Sequence, residues 1–276
     1  MMGTTRPGAG AATAARHAGI APERRPPCGP CYVYGILPSA ARTRTGLCGL
    51  GDKPARVTFI RYRRIAAAVS GVPADRSLGT PADLRAHAGV LDALARSSAV
   101  LPMRFGGVLA DENAVVTELL EPHHGAFADR LDRLNGHAQF TIKGRYLGDV
   151  ALREVLAERP EVMRLNKRLQ GRDVWACREE RIQLGELVAR ALELKRMADT
   201  QVLSVALAPH VAAVAERAPA SAGTAVDAAF LVAGPHRRGF EDAAERQGKL
   251  WQNRIRLRLV GPVAPYDFAQ PLQRGE

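Results

Sequence analysis

Cysteine is scarce in this chain: four residues in 276, at Cys28, Cys31, Cys48 and Cys177. They are too few and too unevenly placed for the disulfide framework of a small secreted domain. No apolar run approaches the ~18–20 residues that a membrane-crossing helix requires. The opening stretch "MMGTTRPGAGAATAARHAGIAPERRPP" has no continuous apolar core of the kind a secretory signal carries, so the expectation is a cytoplasmic protein. The motifs H-E-x-x-H, G-x-S-x-G and G-x-x-x-x-G-K-[ST] are missing, which removes the zinc-peptidase, α/β-hydrolase and P-loop readings. Lysine is rare as well, 5 residues against 34 arginines.

The net charge of +11 suggests an anionic partner, but its distribution weakens that suggestion. Residues 1–64 hold eleven Lys and Arg against two acids, Glu23 and Asp52, and the rest of the chain holds 28 against 26. The body is nearly balanced, so nucleic-acid binding is confined to an arginine-rich arm and is not the favoured reading.

Cys28-Gly-Pro-Cys31 matches the dithiol of thioredoxin-like oxidoreductases. That chemistry needs a helix N-terminus, whose dipole favours the attacking thiolate. Here "CYVYGIL" follows, aromatic and β-branched, and reads as a strand. A thiol-redox protein using Cys28 and Cys31 is therefore the weaker alternative. Zinc on Cys28, Cys31 and Cys48 lacks a fourth ligand at motif spacing. His123 and His124 are neighbours that point apart on a helix. His87, between Leu84 and Leu91, reads as a packed, hydrogen-bonded histidine. "GLCGLGD" lacks the dinucleotide fingerprint and reads as a loop. No nucleophile, base and orienting group assemble, so no catalytic, cofactor-binding or metal residue is assigned.

Along the chain, residues 1–30 carry Gly, Ala, Pro and Arg without period and read as a disordered tail. Strands are expected at "CYVYGILP" and "RVTFIRY", then a short helix at "RRIAAAVSGV". The next helix has Thr80 as N-cap, Pro81 at the first position and Asp83 closing a capping box, with Leu84, Ala88, Leu91 and Ala95 on its buried face. "AVLPMRFGGVL" reads as extended and "DENAVVTELL" as helical. A further helix buries Phe127, Leu131 and Leu134 and stops at Asn135-Gly136. A second unit opens with the strand "AQFTIKGRY". Two helices and a long one from about Asp173 to Glu216 follow, the last split at Pro209. "VDAAFLVA" suits a central strand, and "PHRRGFEDAAERQGKLW" a helix. The last strand has Arg254, Arg256 and Arg258 on one face. The pattern is α+β in two successive units with ferredoxin-like pieces.

Three stretches, "YVYGILP", "AHAGVLDALARSSAVLPMRFGGVLADENAV" and "AAFLVA…GPVAPYDF", stand in an order that resembles the gas vesicle GvpF/GvpL family. The resemblance runs from about Tyr32 to Gln270 and is most specific at Val100–Gly106 and Gly261–Phe268. Gly107 stands where the family usually has Thr, and Val263 where a large aromatic is common. The resemblance implies two α+β domains, residues 31–137 and 138–276, the second a modified ferredoxin-like fold with a long helical insertion. It implies a non-enzymatic accessory or minor structural protein of gas vesicles, located there. Its partners would be the shell protein GvpA and other gas vesicle accessory proteins, with no cofactor and no small-molecule substrate. Partner-binding candidates are Arg104 and Phe105 in the first signature, and Pro265, Tyr266 and Phe268 in the second. For each, packing within the protein is the competing role.

Overall fold

The computed structural model describes residues 29–41, 46–51, 54–73, 76–173 and 175–269. Cys28 and the tail before it lie outside them. The fold mixes helix with two antiparallel sheets.

The first sheet is built around β1 (Cys31–Pro38), with β2 (Thr58–Tyr62), β3 (Ile65–Gly71), β4 (Leu101–Pro102) and β5 (Val108–Leu109). Its order is β2-β3-β1-β4, and β5 also pairs with β1. β1 is buried on both faces, which explains its unbroken apolar run. Cys31 and Val33 face one cluster while Tyr32 and Tyr34 face another. A register shift between Val33 and Gly35 then reverses the alternation, so Ile36 joins the first cluster and Leu37 the second.

β3 corrects the sequence reading, which expects a helix there. Alanine's helical preference is worth only a few tenths of a kcal/mol per residue over ordinary residues. Pairing with β1 and β2 satisfies the backbone on both sides, and burial of Ile65–Val69 on both faces outweighs that preference. The hairpin turn is made by Arg63, whose φ of 52° lies in the left-handed region, and Arg64.

α1 (Pro81–Ala95) packs on the tyrosine side of this sheet. The expected capping box is present: Thr80 Oγ1 accepts from Asp83 N–H at 3.2 Å, and Asp83 Oδ2 accepts from Thr80 N–H at 3.2 Å. The buried face is rotated from expectation. It carries Asp83, His87, Val90, Leu91 and Leu94, while Leu84 is 50% exposed. α2 (Glu112–Ala114), capped by Asp111, runs into a π-helical turn, Val115–Leu120. α3 (His124–Leu134) covers the other face of the sheet with Phe127, Leu131 and Leu134.

The second sheet has the order β7-β8-β6-β9, from β6 (His137–Tyr146), β7 (Ala213–Glu216), β8 (Thr224–Ala233) and β9 (Ile255–Val263). Between β6 and β7 lie α4 (Val150–Glu158), α5 (Pro160–Leu169) and α6 (Arg178–Leu207), and α7 (Arg237–Leu250) links β8 to β9. Phe140, Ile142, Phe230 and Ile255 on one face pack against Leu203 and Leu207 of α6 and Phe240 of α7. The expected helix to Glu216 is shorter: it ends at Leu207, a 3-10 turn holds Pro209, and β7 follows as an edge strand. Four residues, Ala-Val-Ala-Glu, carry too little pattern to announce a strand. Leu194 and Met197 of this helix are exposed.

Candidate partner-binding site

The first signature lies against β1. Leu101 pairs with Ile36 and Pro102 with Gly35, Met103 N–H donates to Tyr34 O at 2.8 Å, and Val33 N–H donates to Gly107 O at 2.9 Å. Gly35 permits this approach, since a Cβ there would stand 2.7 Å from Leu101 O. Between β4 and β5 the chain turns at Gly106, whose φ is +97° and whose N–H donates to Tyr32 Oη at 3.2 Å. The turn sets Phe105 half-buried beside Tyr32 and His87, with ring centroids 5.9 and 5.6 Å apart. His87 is buried and bonded to Tyr32 Oη through Nδ1 at 2.8 Å. Burial lowers its pKa, and burial raises the Tyr32 hydroxyl to about 12. Arg104 is exposed.

The second signature continues β9 and then turns. Tyr266 N–H donates to Ala264 O at 2.9 Å, and Phe268 and Ala269 N–H both donate to Pro265 O, at 3.1 and 2.9 Å. Polar clamps hold this turn. Ala264 N–H donates to Asp92 Oδ1 of α1 at 3.0 Å. Gln139 Nε2 donates to Asp267 Oδ2 at 2.6 Å while Asp267 N–H returns to Gln139 Oε1 at 3.1 Å. Arg217 binds Asp267 through two nitrogens, Nε to Oδ1 at 2.8 Å and Nη2 to Oδ2. Burial alone would raise the Asp267 carboxyl, but Arg217 and Gln139 together hold it below its ordinary range.

The two signatures meet the same apolar clusters. Ala264 is fully buried among Tyr32, Tyr34 and Leu91, a cluster that Phe105 also packs against. Phe268 is half-buried against the cluster of Val33, Leu101 and Phe127, which Met103 also packs against. Leu231 of β8 belongs to that cluster too, so both sheets share it. Pro265 is buried. Tyr266 is the candidate ring most open to solvent, at 41% exposure, although burial, Asp92 and Tyr32 raise its hydroxyl pKa. Thus Arg104 and Tyr266 are accessible, Phe105 and Phe268 partly so, and Pro265 is not. Asp92, Gln139, Arg217 and Asp267, which hold the turn, escape a sequence reading. Their partners stand up to 172 residues away, beyond any local spacing.

The thiol alternative finds no support in the geometry. Cys31 is fully buried on a strand, and burial, with Glu112 and Asp111, pushes its thiol up to about 11. Among the described residues no group of three or more His, Cys, Asp and Glu could hold a metal ion. His123 and His124 pack edge-on against Phe127 and Tyr62. No described helix is long and apolar enough to cross a membrane.

The family model for the gas vesicle synthesis protein GvpL/GvpF matches residues 30–270. Gas vesicle protein F of Streptomyces sp. (strain CB03234) is 31% identical over 242 residues, spanning 87% of this chain and 99% of that protein. Gas vesicle protein L of the same strain is 28% identical over 269 residues, with 86% and 92% covered. The crystal structure of GvpF from Anabaena sp. PCC7120 superposes with a TM-score of 0.76 at 25% identity, covering 89% of this chain and all of that one. With the signature stretches of both sheets inside the matched span, the chain belongs to the GvpL/GvpF family of gas vesicle proteins.

Proposed function

We propose that this protein is a non-enzymatic accessory or minor structural component of gas vesicles. It binds the main shell protein GvpA and supports vesicle assembly within the cytoplasm. The observation that carries this reading is the turn at Ala264–Ala269. Its backbone and carboxylate are fixed by Asp92, Gln139 and Arg217, yet it presents the Tyr266 ring to solvent. A rigidly held, partly exposed aromatic ring is a low-entropy anchor for a protein partner, with a hydroxyl that a wet interface satisfies. Arg104 and Phe105 belong to the other signature and form a second candidate contact. Pro265 serves the turn from within.

In the same reading, residues 31–137 and 138–276 are two domains. The second has strands and helices in the order β6–helices–β7–β8–α7–β9 and the spatial order β7-β8-β6-β9. That order supports reading it as a modified ferredoxin-like fold, with α4, α5 and α6 in place of its first crossover helix.

Two single variants separate contact from packing in this turn. Tyr266→Ala is expected to weaken capture of GvpA by ~30-fold, as for an anchor worth about 2 kcal/mol, with the melting temperature unchanged. Phe268→Ala is expected to lower the melting temperature, through a loss of about 3 kcal/mol of packing. Undiminished GvpA capture by Tyr266→Ala would remove the turn from the interface. Failure of the wild-type chain to capture GvpA would overturn the function itself.

A further inference from the structure

The second sheet has an outer face, opposite α6 and α7. Its upper half, at Gln139 and Leu231, is covered by the Asp267 turn and by the cluster shared with the first sheet. The lower half is exposed and carries Lys143 and Arg145 on β6 and Arg256 and Arg258 on β9. The register sets Lys143 directly across from Arg258 and Arg145 directly across from Arg256. Like charges directly opposed in a sheet are destabilising. Among the described residues none of the four makes an ion pair. Asp227 stands across from Lys143 on β8, but its Oδ1 lies 3.6 Å from Arg217 Nη1, and Arg217 also holds Asp267.

Protection of a sheet edge explains cations on β9, an edge strand. It does not explain Lys143 and Arg145, because β6 lies between β8 and β9 and has no edge to guard. A second copy of the chain would present the same cationic face and be repelled. Residues 1–28 carry four arginines against one acid, and residues 270–276 a single acid, so neither end supplies the missing charge.

We infer that this face is a docking surface for an extended acidic segment of a partner protein, held by Lys143, Arg145, Arg256 and Arg258. The array measures ~7 Å along the strands and ~5 Å across them. Alternate side chains of an extended segment repeat at the same ~7 Å, which sets a row of carboxylates over a row of cations. A nucleic-acid strand fits less well: Thr141, Ala229 and Val260 on this face offer no ring for a base to stack on. The surface is separate from the Tyr266 turn, so Tyr266→Ala leaves it intact.

The test uses the full chain, a 12-residue peptide of alternating Glu and Ser, and a 12-nucleotide oligothymidylate. The readout is the amide NMR shifts of Gly144 and Leu257, each flanked by two of the cations. The peptide is expected to shift both amides saturably, with an affinity that falls as salt rises. The fourfold variant Lys143→Gln, Arg145→Gln, Arg256→Gln, Arg258→Gln should bind it at least ~10-fold more weakly and melt no lower than wild type, since the opposed charges are gone. The pair Arg256→Lys, Arg258→Lys should retain binding. Unmoved amides, tighter binding of the oligonucleotide at these amides, or a fourfold variant that melts lower would each overturn the inference.

Discussion

Cys31 shows what burial does to a reactive-looking residue. In the tetrapeptide it reads as half of a dithiol, yet in the fold it is a small apolar filler whose thiol donates to Gly29 O at 3.4 Å. With its pKa near 11, the thiolate population at neutral pH is negligible. Exposed Cys48 is therefore expected to react with a thiol reagent in the native protein, while Cys31 reacts only on unfolding, as timed mass spectrometry would show. Cys31→Ala should be tolerated better than Cys31→Ser, which sets a more polar hydroxyl against an apolar cluster. Equal melting temperatures for the two variants would contradict that account.

At the scale of elements, one arginine adds a polar tie between the helical segment and the second sheet, beside the packing of Leu203 and Leu207. Arg254 lies in the turn before β9, off the face on which Arg256 and Arg258 stand. Its Nε and Nη2 reach Glu154 of α4 at 2.7 and 3.0 Å, and its Nη1 and Nη2 reach Asp199 of α6 at 2.7 and 2.9 Å. Tyr146 of β6 donates to the same Asp199 at 2.6 Å, and Lys195 closes the group from α6 with Glu154 at 2.9 Å. Removing the central cation leaves Glu154 with Lys195 but leaves the nearly buried Asp199 with only the Tyr146 hydroxyl, facing a second carboxylate. Arg254→Ala is expected to destabilise the fold by about 3 kcal/mol in urea unfolding. Arg254→Lys should recover only part, because an ammonium cannot serve both carboxylates in forked geometry. Full recovery by lysine would mean that charge alone, without the fork, holds the helices.

For the whole molecule, the decisive feature is that the final residues of the second sheet return to the first. Ala264, Phe268 and Asp267 tie β9 to α1, to the shared apolar cluster and to Arg217. Both sheets place their first strand between their third and fourth, β1 between β3 and β4, and β6 between β8 and β9. The Asp267 clamp also has a pH signature. Its folded pKa lies below the ordinary 3.8, so its contribution is fully present above about pH 4 and is lost as pH falls through the lowered value. Buried Asp83, held down to about 2 by Arg76 and by its cap bonds, follows the same sign. Acid should therefore loosen the protein below about pH 4. Asp267→Asn should cost about 2 kcal/mol at neutral pH and flatten the acid limb of the stability profile. An acid limb as steep as wild type would place the titration on other carboxylates.

Local rules decided much of this protein in advance. Thr80-Pro81-Ala82-Asp83 specifies a helix start whatever surrounds it, because the cap bonds close within four residues. Phe127, Leu131 and Leu134 repeat at helical spacing and bury together, and the apolar run of β8 belongs inside a sheet. The signature stretches likewise pointed to the family from sequence alone. Where residues depend on distant partners, only the tertiary structure decides. Ile65–Gly71 is a strand because β1 and β2 flank it, against the preference of its alanines. Ala213–Glu216 becomes a strand only by pairing with β8. Lys143, Arg145, Arg256 and Arg258 read as ordinary solvated charges until the β6–β9 register sets them opposite one another. Asp267 acquires its role from Gln139 and Arg217, residues 128 and 50 positions away, since a carboxylate's environment is a property of space and not of sequence neighbours.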